Sequence, residues 1–174
     1  MYLNNIDTAQ CISYKKEIEA DPNEAKFTAK IEGDWLFDEG GPQFRSSVKT
    51  RDSPYIMEAS HPNFAGPGCR PGPMAFGLFW FAACVSSTFM TEASMRNLQF
   101  TSMKTRVEAD LDYTAQFDLG QNPLISEYRV YFDVTGEVTD EQVQDLKEYA
   151  LAKCMGMFTI KNAISLRAEA RLLK

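Results

Sequence analysis

The sequence has 174 residues, which is enough for one domain with a substantial core and too few for two. Hydrophobic residues make up 44% and charged residues 24%, the composition of a globular protein, which excludes a disordered chain. The net charge is −6 and no basic stripe is present, so the sequence is not typical of a nucleic-acid-binding protein.

The N-terminal region, residues 1–24, predicts an extension that contains a short helix. Asp7 or Thr8 can cap this helix at its start, and Asp21-Pro22-Asn23 ends it. No basic segment followed by an apolar one is present, so no secretory signal is predicted. We expect residues 25–174 to form a single domain.

Four segments alternate apolar and polar residues with the period of two that marks a β-strand. They are residues 27–32, 106–112, 129–134 and 164–169. Because each such strand has one apolar and one polar face, the segments predict an antiparallel sheet covered on one side. Two weaker strands are predicted near residues 44–49 and 55–59, with a turn at residues 51–54 between them.

An apolar helix is predicted to begin at Pro73, after a loop rich in proline and glycine. Its apolar run, from Met74 to Val85, is shorter than the roughly 20 residues that span a membrane, which favours a buried core helix. Cys84 lies in the middle of it. A helix that is apolar on every side needs cover on every side, and a one-sided sheet cannot supply this alone. We therefore expect a second copy of the chain to cover the remaining face in a homodimer.

A further helix is predicted from Thr139 to Cys154, and Thr139 and Gln142 form a capping-box pair at its start. The apolar residues of this helix recur at helical spacing and place Cys154 on the core side. Cys84 and Cys154 are therefore both expected to face the interior, which makes a contact between the two thiols geometrically feasible.

The four cysteines do not occur in the C-x-x-C spacing of thioredoxin-type or structural zinc motifs. They are Cys11, Cys69, Cys84 and Cys154, and the single histidine is His61. The sequence therefore predicts no metal and no cofactor. Free thiols are typical of the cytoplasm, which is the predicted location.

Two interpretations of Cys84 remain open at this point. A cysteine in an apolar helix is usually a small hydrophobic packing residue. A reactive cysteine instead requires a nearby cation to lower its pKa, and a neighbouring thiol such as Cys154 favours this second interpretation. The candidate cations are Arg45, Arg51, Arg70 and His61.

Taken together, these features resemble the OsmC/Ohr family, named for osmotically inducible protein C and organic hydroperoxide resistance. The resemblance covers about residues 25–172. It rests on the order and spacing of five features: the loop ending in Pro73, the helix that reaches Ala82-Ala83-Cys84, the strand with Glu108 to Asp112, the helix ending in Cys154, and the closing strand from Ile164.

The resemblance implies an α+β fold in which antiparallel sheets wrap around long central helices in an intertwined homodimer. It also implies a cysteine-based peroxidase that reduces organic hydroperoxides. By position, Cys84 matches the peroxidatic cysteine and Cys154 the resolving cysteine, and a dithiol would act as reductant. Arg45 is the first choice for the arginine that activates the thiol, and Arg70 is the second.

The sequence departs from the family pattern in two places. Well-studied peroxidases of the family carry a carboxylate directly after the proline that opens the helix, where this chain has Met74. The proline and serine that often follow the second cysteine are replaced by Met155 and Met157. These changes indicate a divergent member. They leave open two alternatives: a non-catalytic protein that binds an apolar ligand at the dimer interface, and a structural protein with no small-molecule site.

Overall fold

The computed structural model describes residues 2–61, 63–64 and 70–173, so the first part of the proline- and glycine-rich loop, with Cys69, lies outside the described residues. The helices are α1 (Thr8–Ala20), α2 (Pro73–Met95), α3 (Asp140–Lys153) and α4 (Met155–Lys161). The strands are β1 (Tyr2–Leu3), β2 (Ile6–Asp7), β3 (Gly33–Trp35), β4 (Phe44–Lys49), β5 (Pro54–Ala59), β6 (Phe100–Leu111) and β7 (Ile125–Gly136).

The strands form three antiparallel groups, and the alternating segments at residues 106–112 and 129–134 lie in β6 and β7. The first group is the pair β1 and β2. The second is a sheet of β3, β4 and β5 in that order, and the third is a long hairpin of β6 and β7. The predicted α+β fold is therefore confirmed. The two weaker strands of the sequence analysis correspond to β4 and β5, which pair along their whole length.

The helix boundaries follow local signals that the sequence carries. The side chain of Asp7 caps α1 and accepts hydrogen bonds from the backbone of that helix. Pro73 opens α2 at the position where its missing N–H costs nothing. Thr139 and Gln142 form the predicted capping box of α3, with both reciprocal hydrogen bonds present.

The core lies where α2 crosses α3 and the β6–β7 hairpin. Its residues on α2 and on α3 recur every four positions, so each of these helices presents one buried stripe. Phe89 stacks on Phe132 of β7 with ring centroids 5.3 Å apart, which joins the helical layer to the sheet. The buried core residues of the helices are Phe81, Val85, Phe89, Ala93, Leu146, Ala150, Cys154 and Met157.

Two predicted strands are absent. Residues 27–32 and 164–169 have no strand partner and run as irregular, exposed segments. Phe27 is 73% exposed and Leu166 is 89% exposed. The alternation in these segments indicates one face that prefers burial. A strand also requires a neighbour to accept its backbone hydrogen bonds, and this chain supplies none there.

The outer face of α2 is also exposed. Phe79 is 71% and Trp80 is 48% exposed, although both are large apolar side chains. Among the described residues, α2 is the one helix that is long and apolar enough to cross a membrane. The core helix of a soluble protein meets the same criteria, and the other face of α2 packs against α3 and β6.

Candidate functional site

The thiols of Cys84 and Cys154 meet inside the fold. Their Sγ atoms lie 3.2 Å apart, and the Cys154 thiol donates a hydrogen bond to Cys84. Cys154 is only 2% exposed, whereas Cys84 is half-buried. The contact that the sequence made feasible is therefore present, and Cys84 is the more accessible of the two sulfurs.

The packing of α2 against α3 brings the two cysteines together. Cys84 lies on α2 between the buried residues Phe81 and Val85. Cys154 follows α3 one turn after the buried Ala150, and its N–H donates to the Ala150 carbonyl at 3.0 Å. Because the core fixes both helices, the position of each sulfur is set by packing rather than by a mobile loop.

The surroundings of Cys84 act on its thiol in two directions. Burial raises the pKa of Cys84 because it disfavours the charged thiolate, and the contact with the Cys154 thiol raises it further. The nearby backbone of Gly156 and Met155 lowers the same pKa, but by less than burial raises it. Burial dominates, so the thiol of this single chain is less acidic than an ordinary cysteine. Nucleophilic chemistry at Cys84 needs a further source of positive charge.

Arg45, the predicted activating cation, is held by a carboxylate on the neighbouring strand. Arg45 of β4 lies opposite Glu58 of β5 in the strand register. Its Nε and Nη2 atoms lie 2.8 and 2.7 Å from Glu58 Oε1. Arg70, the second candidate, donates from Nε to Glu58 Oε2 at 2.7 Å. One carboxylate thus orients two guanidinium groups, and Arg70 and Arg45 together hold the pKa of Glu58 below its usual range.

The other two candidate cations lie elsewhere. Arg51 is in the turn between β4 and β5. His61 stacks on Phe64 with ring centroids 3.8 Å apart, and its Nε2 lies 3.3 Å from the Tyr113 hydroxyl. Within the part of the chain that the structure describes, no guanidinium or imidazole is among the groups that shift the pKa of Cys84. The structure brings the two thiols together but leaves the candidate cations apart from them.

Glu58 is not among the site residues predicted from the sequence, although the sequence carries a signal for it. The predicted strands near residues 44–49 and 55–59 and the short turn between them fix a hairpin register. That register places residue 45 opposite residue 58, so an ion pair across the hairpin could have been predicted from the sequence. The family pattern instead has its carboxylate at the position of Met74, which is half-buried in the first turn of α2.

A cavity of about 380 Å³ separates the β3–β5 sheet from the first turns of α2. Glu58 lines it together with Pro73, so this residue borders the same space as the start of the helix. Nearly all of the remaining lining is apolar. The other lining residues are Ile31, Trp35, Phe44, Ser46, Met57, Ala59 and Phe76.

No metal centre was predicted, and that expectation stays a prediction. Among the described residues, no three histidine, cysteine, aspartate or glutamate side chains form a group that could hold a metal ion.

Comparison with known proteins agrees with the resemblance noted from the sequence. Residues 66–169 match the family model described as OsmC-like protein. A search of curated protein sequences finds no match.

Several solved structures are similar. An OsmC-like protein from Mycoplasma pneumoniae has a TM-score of 0.57 at 13% identity, over 78% of this chain and 89% of that one. An OsmC-like protein of unknown function from Vibrio cholerae has a TM-score of 0.50 at 14% identity, over 76% and 94%. The organic hydroperoxide resistance protein OhrB of Bacillus subtilis has a TM-score of 0.46 at 19% identity, over 78% and 91%.

Proposed function

The chain belongs to the OsmC-like protein family, and from that premise we propose that it reduces organic hydroperoxides with Cys84 and Cys154. Membership in the family supports a peroxidase-like role in general terms. The observation that carries the proposal for this chain is the 3.2 Å contact between the two sulfur atoms. Inert packing cysteines need no such pairing, whereas a peroxidatic thiol needs a resolving thiol within reach.

The proposed reaction has three steps: oxidation of Cys84, formation of a disulfide with Cys154, and reduction of that disulfide. The Cys84 thiolate attacks the distal oxygen of the hydroperoxide, the O–O bond breaks, and the alkoxide leaves as an alcohol after taking a proton. Cys84 is thereby oxidised to a sulfenic acid. The Cys154 thiolate then attacks the Cys84 sulfur, so that an S–S bond forms, the S–O bond breaks, and water leaves. A dithiol reductant finally supplies two electrons and two protons and regenerates both thiols.

The arrangement of the two thiols supports the second step. Because the sulfurs already touch and the core holds both helices, disulfide formation needs little movement of the backbone. The greater exposure of Cys84 favours it as the sulfur that meets the peroxide, and the burial of Cys154 favours it as the resolving sulfur.

The first step needs positive charge near Cys84, and we propose that Arg45 of a second copy supplies it. The apolar surfaces that this chain leaves uncovered support a homodimer, because burying them is strongly favourable. They include Phe79 and Trp80 on α2 and the two exposed segments at residues 27–32 and 164–169. In this arrangement Glu58 orients Arg45 through their ion pair.

Turnover of an organic hydroperoxide with a dithiol reductant tests the proposal. Wild-type protein is expected to consume cumene hydroperoxide catalytically, and Cys84→Ser to lose the activity. Cys11→Ser is the matched control, because Cys11 lies on α1, outside the site. Equal activity in Cys84→Ser and wild type, or no turnover by wild type at all, contradicts the proposal.

The apolar cavity beside Pro73 favours a second candidate function, the binding of an apolar ligand without catalysis. Nile red is a suitable probe, and Trp35→Ala should weaken its binding because Trp35 lines the cavity. If ligand binding is the function, Cys84→Ser binds the dye as well as the parent does, and no peroxide turnover accompanies it. If the peroxidase proposal holds, turnover is present and depends on Cys84.

Location and remaining partners follow from the same proposal. OsmC/Ohr proteins are generally soluble. A cycle that passes through free thiols at Cys84 and Cys154 requires a compartment with a reductant, so we propose the cytoplasm. The excess of acidic residues gives no basis for a nucleic-acid partner.

A further inference from the structure

Arg70 links the loop that precedes α2 to the sheet that carries Arg45. The Nε atom of Arg70 donates to Glu58 Oε2 at 2.7 Å. The backbone beside it is held as well, because the Ser60 N–H donates to the Pro71 carbonyl at 3.2 Å. Glu58 lies near the end of β5, and Ser60 follows that strand directly. A side-chain contact and a backbone contact therefore fix this loop to the same end of β5.

The two oxygens of the Glu58 carboxylate serve different arginines. Oε1 faces Arg45, whose Nε and Nη2 atoms lie 2.8 and 2.7 Å away. Oε2 faces Arg70. An arginine that pairs alone with a carboxylate favours the geometry in which two N–H groups bond to two oxygens. Because Arg70 takes Oε2, the pair with Arg45 uses one oxygen only, and the Nη1 atom of Arg45 has no part in it.

Glu58 is the least exposed member of this group of three charges. Its side chain is 15% exposed, whereas those of Arg45 and Arg70 are 52% and 45% exposed. A carboxylate that is largely removed from water is costly unless it is paired and hydrogen-bonded, so the two arginines together stabilise it. Two guanidinium groups against one carboxylate leave a net positive charge, and the Arg45 end of the group is the more exposed one.

Arg45 has an acidic neighbour on each side of its strand. In the register of the sheet, Asp34 of β3 and Glu58 of β5 both lie opposite Arg45 and therefore on the same face. The guanidinium pairs with Glu58, and no ion pair with Asp34 is present among the described residues. The placement of Glu58 thus decides which way the Arg45 side chain turns, and Arg70 is the group that fixes Glu58 from the other side.

We propose that Arg70 is a positioning residue for the activating cation: it holds the Glu58 carboxylate so that Arg45 turns toward β5 and presents its guanidinium to Cys84 of a second copy. This inference rests on the proposed function, in which Arg45 supplies the charge, and adds a residue to it. Arg70 acts through Glu58 and does not touch the thiol. The observation that carries the inference is the division of the two carboxylate oxygens between the two arginines.

A double-mutant cycle of Arg70→Gln and Glu58→Gln tests whether Arg70 acts through Glu58. The readout is the pH profile of Cys84 alkylation by iodoacetamide, followed by mass spectrometry of the Cys84 peptide. Arg70 is half-exposed in a loop, so its replacement should leave the protein folded, which circular dichroism verifies.

Arg70→Gln in the wild-type background is expected to shift the profile to higher pH. It should slow alkylation near neutral pH by about three- to fivefold, because a half-exposed ion pair contributes less than a buried one. In the Glu58→Gln background the same substitution should have no further effect. Equal slowing in both backgrounds would mean that Arg70 acts on the thiol directly and overturns the proposal, and so does a wild-type background in which Arg70→Gln changes nothing.

Arg96→Gln is the matched control for Arg70→Gln. The Nε atom of Arg96 lies 2.7 Å from Glu92 Oε1, and the two side chains are 39% and 20% exposed, close to the values for Arg70 and Glu58. This pair lies at the C-terminal end of α2, away from Arg45. We expect an unchanged alkylation profile. Slowing equal to that of Arg70→Gln would assign the effect to loss of a surface charge and overturn the proposal.

Failure of this inference is distinguishable from failure of the proposed function. Alkylation requires no peroxide, so its pH profile reports on the Cys84 thiolate alone. The Nε–H signal of Arg45 in a nitrogen-15 NMR spectrum, assigned by its loss in Arg45→Gln, reports on the bond to Glu58. A protein that does not turn over hydroperoxide, but in which Arg70→Gln slows alkylation and alters the Arg45 signal, contradicts the proposed function and retains the inference. Turnover with an alkylation profile and an Arg45 signal that Arg70→Gln leaves unchanged does the reverse.

Discussion

Cys84 and Cys154 are 70 positions apart in the sequence, yet their Sγ atoms lie 3.2 Å from each other. Two core helices create this contact. Phe81 and Val85 anchor α2 on either side of Cys84, and Leu146 and Ala150 anchor the end of α3 before Cys154. The pair is therefore part of the packed interior, and its geometry should persist in variants that leave these residues intact.

Replacing the resolving thiol should stop the cycle after its first step. In Cys154→Ser the Cys84 sulfenic acid has no thiol beside it, so we expect an added oxygen on Cys84 and no disulfide. Dithiol-dependent turnover should fall sharply. Mass spectrometry after hydroperoxide treatment measures both species. An internal disulfide that persists in Cys154→Ser would mean that another cysteine resolves Cys84.

Arg45→Gln should slow the oxidation of Cys84. If a second copy brings Arg45 to the thiol, loss of its charge disfavours the thiolate, and we expect about ten- to a hundredfold slower reaction with hydroperoxide. Arg51→Gln is the control, because Arg51 lies in the hairpin turn and makes no contact with Glu58 among those described. Equal rates in the two variants argue against Arg45 as the activating cation. Stopped-flow fluorescence or competitive alkylation can provide the rates.

Glu58→Gln should release Arg45 from its ion pair and so cause part of the slower Cys84 oxidation that is expected for Arg45→Gln. The pairing with Arg70 and Arg45 holds the pKa of Glu58 below its usual range. The carboxylate therefore stays charged, and its hold on Arg45 persists, until the pH falls below the range of an ordinary carboxyl group. Down to that pH, we expect protonation of Glu58 to have no effect on the rate of hydroperoxide reduction by the wild type.

Glu108→Gln is the matched control for Glu58→Gln. Glu108 also pairs with two arginines, Arg106 and Arg129, but on the β6–β7 hairpin. Its replacement should leave the rate of Cys84 oxidation unchanged. If the Glu108 and Glu58 variants lose activity equally, the effect is a general loss of surface charge pairs and not the positioning of Arg45.

Phe79→Asp should break the proposed dimer. A charged side chain in the centre of an apolar interface is costly to bury, so we expect a monomer in sedimentation velocity experiments, and slow oxidation of Cys84. Leu119→Asp is the control, because Leu119 is at least as exposed as Phe79 but lies between β6 and β7. A wild-type protein that sediments as a monomer, or that partitions into membranes through α2, contradicts the dimer.

The sequence predicted the elements whose signals are local. The Thr139–Gln142 capping box and the opening Pro73 fixed where α3 and α2 begin. Residues 27–32 and 164–169 were wrongly predicted as strands, because alternation reports a face that prefers burial and not the presence of a pairing partner.

The site was predictable only in part for the same physical reason. Helical spacing showed that Cys84 and Cys154 face inward, but their distance depends on how α2 and α3 pack, which no local pattern encodes. The pairing of Arg45 with Glu58 was encoded in the hairpin register. The approach of Gly156 to Cys84 depends on packing between helices and required the structure.

Cys84 and Cys154 are proposed to form a redox pair that reduces organic hydroperoxides. The most direct test is the intact mass and peptide map of the folded wild-type protein after one equivalent of cumene hydroperoxide. We predict the loss of two hydrogen atoms and a disulfide that links the Cys84 and Cys154 peptides. A Cys84 that remains reduced in excess hydroperoxide, in protein that is still folded, would contradict the account.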